Sequence, residues 1–449
     1  MNIVSRFRVP FQGNAQPFLA LEKISGKEPV FTVLIGENGT RKSFLLRAIL
    51  DSALGVRSAK GSEKDVEFRR PPKQVIGISA IAGDRFPASS TIGDLWQMGH
   101  YREGYTYIGP RTGRNLISRK HNSRQLILAL LENPGRLLRL KDLALALRKE
   151  LLFPPDCAVG LNANTRPAAD SYETLENYVQ RQRESPRKSM APGFLDGIGD
   201  IRSASAVLAN ALGYRPTEGS RFPRTVDESH IKLHFNWAAG EFDGGNIPSE
   251  ILVLGLKTGY LRTTSLEFSG VEDDSLSSGQ WSLFCGTYLL GLLAKDDTLV
   301  LIDEPECSLH PQWQRIYMEL TRKALTGVNN CHVLVATHSS LVLSSLPAKR
   351  AEVIALERKG DGIAARPIQV PTGWDASDVI EEIFGAAAAR GPEITEAFQH
   401  LLSLVAGGRP MRSKFKKEVD KLEAIVERLP FDDPLRLTFA ALQQAAVGR

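Results

Sequence analysis

A chain of 449 residues with 42% apolar and 24% charged residues has the composition of a folded globular protein, and its length suits about two or three units. Its formal net charge of +5 is too mild to establish a nucleic-acid partner by itself. Four cysteines without C-x-x-C spacing read as reduced thiols of a cytoplasmic protein; no run of about 18 or more uncharged apolar residues exists and the start lacks an apolar signal core, so neither secretion nor a membrane span is expected.

The first 36 residues hold short β runs, NIVSRFRV, PFLALEKI and VFTVLI. After the last of them comes GENGTRKS at 36–43, and KSFLLRAIL at 42–50 then switches to helical spacing with Phe44, Leu45, Ala48 and Ile49 inward. Strand, glycine loop and helix make an anion cradle, because backbone N–H groups of the loop and of the helix start converge there. Gly36, Asn38, Gly39, Arg41, Lys42 and Ser43 form the candidate nucleotide-binding set, with Lys42 reaching the β- and γ-phosphates and the Ser43 hydroxyl holding Mg2+. Arg41 departs from the usual G-x-x-x-x-G-K-[ST] pattern, since a β-carbon and a cation stand where glycine lets the backbone wrap a phosphate. Binding should survive that change, whereas hydrolysis is expected to be slow.

Residues 75–86, VIGISAIAGDRF, read as a further strand leading to a polar loop. From 111 to 225 the chain changes character: 124–153 is helical and 160–225 is rich in Arg, Ser, Pro and Asn, which suggests an inserted helical lobe with mobile loops. Two basic clusters fall in it, Arg111, Arg114, Arg119, Lys120 and Arg124, then Arg181, Arg183, Arg187 and Lys188. Each is either a solvated face or a phosphate-backbone contact. Strands are expected to resume with HIKLHF at 230–235 and EILVLGLKTGYLRTTSLEF at 250–268.

LSSGQ at 276–280 precedes a helical run, so Ser277 and Gly279 sit at a helix start with N–H donors pointing outward, and Gln280 joins them as a candidate nucleotide contact. TLVLIDEPE at 298–306 is a run suited to a strand buried on both faces, with its acidic pair at the carboxyl end, where open α/β sheets bind ligands. Asp303 is then the candidate magnesium ligand and Glu304 the candidate general base for an attacking water. CHVLVATHS at 331–339 repeats the format and ends in Thr337 and His338. The segment 373–449 reads as helical and amphipathic, with stripes at Val379, Ile380, Ile383 and Phe384 and at Leu422, Ile425, Val426 and Leu429.

Together the three motifs resemble the ATP-binding-cassette superfamily: an α/β P-loop ATPase head with a mixed sheet, flanking helices and an antiparallel β-subdomain, here with a helical insertion and a helical C-terminal tail. The divisions expected are 1–110, 111–225, 226–372 and 373–449. The resemblance implies that the N-terminal β runs hold the adenine, that His338 senses the γ-phosphate, and that Ser277, Gly279 and Gln280 close on ATP bound to a second copy, making a homodimer. It is narrower for SMC-like or AAA-type prokaryotic defence ATPases of Septu systems and of retrons with a Septu-like effector pair. VIGISAIAGDRF at 75–86, YTYIGPR at 105–111 and GWDASDVIEEIFG at 373–385 carry that part, over roughly 1–110 and 226–390. It implies a sensor and scaffold subunit controlling a separately encoded effector nuclease of HNH type, with DNA or a retron RNA–DNA product as a nucleic-acid partner. The segment after Gly373 has no Asp-x-Asp and the chain has no His-Asn-His cluster, so the chain is expected to cut nothing itself. A DNA-repair ATPase resembling RecF and the energising subunit of a transporter are the other readings.

Overall fold

The computed structural model describes residues 2–9, 18–56, 65–88, 104–112, 117–154, 156–163, 173–184, 200–213, 231–343, 345–359 and 362–370, with isolated positions between 396 and 440. The first half runs β1 (Val4–Phe7), β2 (Leu19–Ala20), β3 (Val30–Gly36), α1 (Lys42–Ala53), β4 (Val66–Phe68), β5 (Gln74–Ser79), β6 (Tyr105–Ile108), α2 (Arg119–Glu132), α3 (Lys141–Leu151), β7 (Asp156–Ala163), α4 (Leu175–Glu184) and α5 (Ile201–Ala211). There follow β8 (Ile231–Asn236), β9 (Glu241–Asp243), α6 (Ser249–Thr258), β10 (Leu261–Phe268), β11 (Val271–Glu272), α7 (Ser278–Leu293), β12 (Thr298–Asp303), α8 (Pro311–Ala324), β13 (His332–Thr337), α9 (Ser340–Leu343), β14 (Ala351–Lys359) and β15 (Gly362–Ile368). The chain divides into two compact units, Met1–Gly373 and Trp374–Arg449.

The main sheet has seven strands in the order β15-β14-β3-β13-β12-β5-β6. All neighbours are parallel except the edge pair β14 and β15. Its three central strands, VFTVLIG, HVLVAT and TLVLID, are buried at every position, as uninterrupted apolar runs must be when helices cover both faces. The register places Ser79, Asp303 and Ala336 side by side, and Thr337 beside Ile35, so the ends of β5, β12, β13 and β3 share one edge. This is a phosphate-loop α/β fold.

A second, antiparallel sheet of three strands, β2-β1-β4, uses the first β runs, whereas VFTVLI belongs to the main sheet. The third sheet, β11-β10-β7-β8-β9, straddles residue 225: β7, CAVGLNA within the expected helical lobe, pairs with both β8 and β10. Its alternating small and apolar residues make a strand that the surrounding helical spacing masks. EILVLGLKT is likewise helix α6 rather than strand, because Leu252 and Leu256 share a buried face and Gly259 ends the helix in the left-handed region at φ 80°. Helix α7 is apolar on all sides and buried. The rings of Phe153, Trp237, Phe268 and Tyr288 surround Phe284 with centroids 4.2, 5.6, 5.0 and 4.7 Å away. Most of 373–449, including GWDASDVIEEIFG and the stripe from Val379 to Phe384, lies outside the described residues; of the second stripe, Leu422 and Val426 are buried.

Candidate functional site

Strand β3 delivers the chain into the glycine loop, and two positions explain its shape. A Cβ on Gly36 would lie 2.3 Å from the Leu356 carbonyl oxygen on β14, so only glycine fits there. Gly39 is left-handed at φ 84° with open space around its α-carbon, room that suits an approaching anion. Arg41 is left-handed too, at φ 62° and ψ 28°, a backbone that costs a non-glycine residue about 1–2 kcal/mol. Its guanidinium lies 5.4 Å from the Phe44 ring centroid, and Arg85 covers the same ring at 3.5 Å. Phe44 therefore faces outward, 40% exposed, and the buried stripe of α1 is Leu45, Leu46, Ile49 and Leu50, which keeps Leu45 and Ile49 of the expected set and replaces Phe44 and Ala48. Lys42 and Ser43 take the first turn for the site, which displaces the apolar stripe along the helix.

Lys42 Nζ donates to the carbonyls of Gly36 (2.7 Å) and Glu37 (3.0 Å) and reaches Thr40 Oγ1 and His338 Nδ1 at 3.3 Å. Burial lowers its ammonium to about 8, with Glu304, Glu306 and Asp303 opposing that shift. Asp303, 1% exposed, accepts from Ser43 Oγ at 2.9 Å. Burial raises its carboxyl to about 7, and the Ser43 hydrogen bond works against the rise. A buried carboxylate beside a hydroxyl is a hard-oxygen pair of the kind Mg2+ takes together with phosphate oxygens and water. The residues fit that ion, although among the described residues no group of three or more His, Cys, Asp and Glu is arranged as a metal cage.

Glu304 follows Asp303 in a left-handed conformation, φ 47°, and its N–H donates to the Ala336 carbonyl at 2.9 Å. That turn aims its carboxylate at His338: Oε1 lies 3.3 Å from Nε2. A charged lysine can only donate, so Nδ1 of His338 accepts from Lys42 and Nε2 carries the proton that faces Glu304. Three segments far apart in the chain thus meet in one run of contacts, Lys42 to His338 to Glu304, beside the Ser43 and Asp303 pair.

The LSSGQ segment forms a closed cap. Ser277 Oγ accepts from the Gln280 N–H at 3.2 Å, and Gln280 Oε1 accepts from the Ser277 N–H at 3.0 Å. Gln280 thereby spends its side chain on the helix start, and Ser278 and Gly279 supply the N–H groups that have no intrahelical acceptor. A Cβ on Gly279 would lie 2.1 Å from the Ser308 carbonyl oxygen, so the start of α7 rests directly on the segment that follows β12.

Several contributors carried no sequence signal. Glu306 accepts the His338 N–H at 2.6 Å, and the Cys307 thiol, pushed up to about 12 by burial, donates to Glu304 Oε2 at 3.6 Å. Asp84, in the loop after β5, accepts from Tyr107 Oη (2.7 Å) and the Phe86 N–H (2.8 Å) and pairs with Arg111. Three arginines of the first basic cluster turn inward: Arg111 to Asp84, Arg119 to the Leu276 carbonyl (3.0 Å) and over Trp281 (5.0 Å), and Arg124 to the Leu256 carbonyl. Lys120 is exposed, and Arg181 pairs with Glu173 at 2.6 Å. Arg114, Arg187 and Lys188, and the side chain of Arg183, lie outside the described residues.

Residues 225–344 match the family described as "AAA domain, putative AbiEii toxin, Type IV TA system". A Septu protein PtuA of Bacillus thuringiensis is 22% identical over 160 residues, a region that is 30% of this chain and 40% of that protein, so the match spans less than half of the relative. Among solved structures, the SMC head bound to the C-terminal winged-helix domain of ScpA is 13% identical at a TM-score of 0.29, covering 82% of this chain and 96% of that one. UvrA2 of Deinococcus radiodurans is 14% identical at a TM-score of 0.29, covering 85% of this chain and 39% of that one.

Proposed function

We propose that this chain binds and hydrolyses ATP as one of a pair of identical heads, and serves as the sensor and scaffold of a Septu-like anti-phage system in the cytoplasm. The observation that carries the ATPase reading is the convergence of Lys42 and Ser43 with Asp303, Glu304 and His338 at one sheet edge. Lys42 would exchange the Gly36 and Glu37 carbonyls for phosphate oxygens, gaining charge-assisted bonds. Ser43 and Asp303 would hold Mg2+, which neutralises phosphate charge when bound. Glu304 would orient water and take its proton, and His338 Nε2–H would turn from Glu304 to the γ-phosphate. In this reading Asn38 lines the loop and Arg41 slows turnover.

Ser277, Gly279 and Gln280 would complete the site of the other copy, since the helix start carries N–H donors toward an anion. Similarity to PtuA and to the AbiEii-type model supports the defence role. Control of a separately encoded nuclease of HNH type, and a link to retron nucleic acid, complete the proposal. Glu304→Gln should bind ATP with Mg2+ and accumulate as a dimer by light scattering, with turnover at least about 100-fold below the parent. Turnover at the parent rate would remove Glu304 as the base.

A further inference from the structure

We infer that Glu306 is the positioning residue for His338. This inference rests on the ATPase reading above. Beyond Thr337 the chain leaves the sheet, and the backbone of His338 has no strand partner to hold it. Glu306 Oε1 takes that role, accepting the His338 N–H at 2.6 Å across the end of β12. The two glutamates of DEPE bracket one residue: Glu304 meets the ring at Nε2, and Glu306 grips the main chain. Pro305 between them is buried and restricts the backbone from which both side chains extend. Glu306 Oε2 is buried and makes no hydrogen bond among the described residues, so Oε1 is the oxygen that holds the His338 backbone. The Ser339 N–H donates to Thr337 Oγ1 at 2.9 Å, and Ser339 Oγ donates to Gln314 Oε1 at 2.7 Å, closing the turn on its far side. With Glu306 in place, the imidazole stands between Lys42 Nζ and Glu304, each 3.3 Å away. Without it, the ring keeps its chemistry and loses its address.

The test is a double-mutant cycle on the full chain, read as steady-state ATP turnover and as ATP affinity by calorimetry. Glu306→Ala should lower kcat by about 10- to 100-fold, the scale of an ångström-sized misplacement, with ATP affinity changed by less than about 2-fold. Glu306→Gln keeps an acceptor for the His338 N–H and should stay within about 3-fold of the parent. Glu306→Ala combined with His338→Ala should turn over no more slowly than His338→Ala alone, because both changes remove one function. Multiplying losses in the double variant, a Glu306→Gln protein as slow as Glu306→Ala, or a Glu306→Ala protein that does not fold would each overturn the inference while the ATPase reading stands. No turnover by the parent itself would overturn that reading and this inference with it.

Discussion

His332 opens the strand that leads to His338, and it predicts how stability responds to acid. Its Nδ1 accepts from the N–H groups of Ile3 and Val4 at 3.3 Å, so Nε2 holds the proton and faces Thr32 Oγ1 at 2.9 Å, while Thr32 donates to Glu352 at 2.8 Å. Burial, reinforced by the positive charge of Arg69, lowers the imidazole from 6.5 to about 3. The unfolded chain therefore binds a proton that the folded chain refuses. Stability from this residue is complete above pH 6.5 and falls as the pH drops toward 3. At pH 5 the loss is about 2 kcal/mol, and by pH 3 it reaches about 4 kcal/mol. Asp303 and Glu352, both raised by burial, act in the opposite sense, so the parent's acid response alone does not isolate the term. His332→Asn does. Urea unfolding of both proteins at pH 7 and pH 5 should show the variant weaker at pH 7 by about 1–3 kcal/mol, with its drop on acidification about 2 kcal/mol smaller than the parent's. Equal drops would refute a neutral, buried imidazole at this position.

Gly279→Ala forces a methyl group to within 2.1 Å of the Ser308 carbonyl oxygen; thermal unfolding should report a loss of about 1–3 kcal/mol, and the ATP-dependent dimer of the Glu304→Gln background should weaken by at least about 10-fold. Unchanged dimerisation would detach the start of α7 from the pairing surface. Ser277→Arg and Lys42→Ala proteins, each inactive alone, should regain turnover on mixing, because half the contacts in a hybrid pair form one intact composite site. A mixture no faster than its components at dimer-forming concentrations would remove the trans arrangement.

What the sequence made legible was local and repetitive in form. VFTVLI, TLVLID and CHVLVAT read as buried parallel strands because both faces of each are covered, and the residues just past their ends are those that meet at the site. The contacts themselves were beyond reach. That His338 stands between Lys42 and Glu304 depends on which strands are neighbours, and strand order is not written in any one segment. Arginines 111, 119 and 124 read as a surface because their acceptors, Asp84 and the Leu276 and Leu256 carbonyls, lie far off in the chain. EILVLGLKT misled for another reason: short apolar runs satisfy both periods, and only the left-handed Gly259 discriminates between them. Glu306 carries no signal of its own in the run TLVLIDEPE, because its acceptor role depends on the His338 backbone 32 residues further on.

The seat of Gly279 on Ser308 has a kinetic consequence. Four residues separate Asp303 from Ser308, and the latter's carbonyl is the floor beneath the helix start that would serve the opposite copy's nucleotide. Any shift of the DEPE segment during one catalytic cycle must push on that floor, since no slack exists for even a methyl group. In a paired assembly the two nucleotides would then not be cleaved independently, and their events would alternate or fire in concert. A plot of turnover against ATP concentration would depart from a hyperbola, with the curvature traceable to a single glycine.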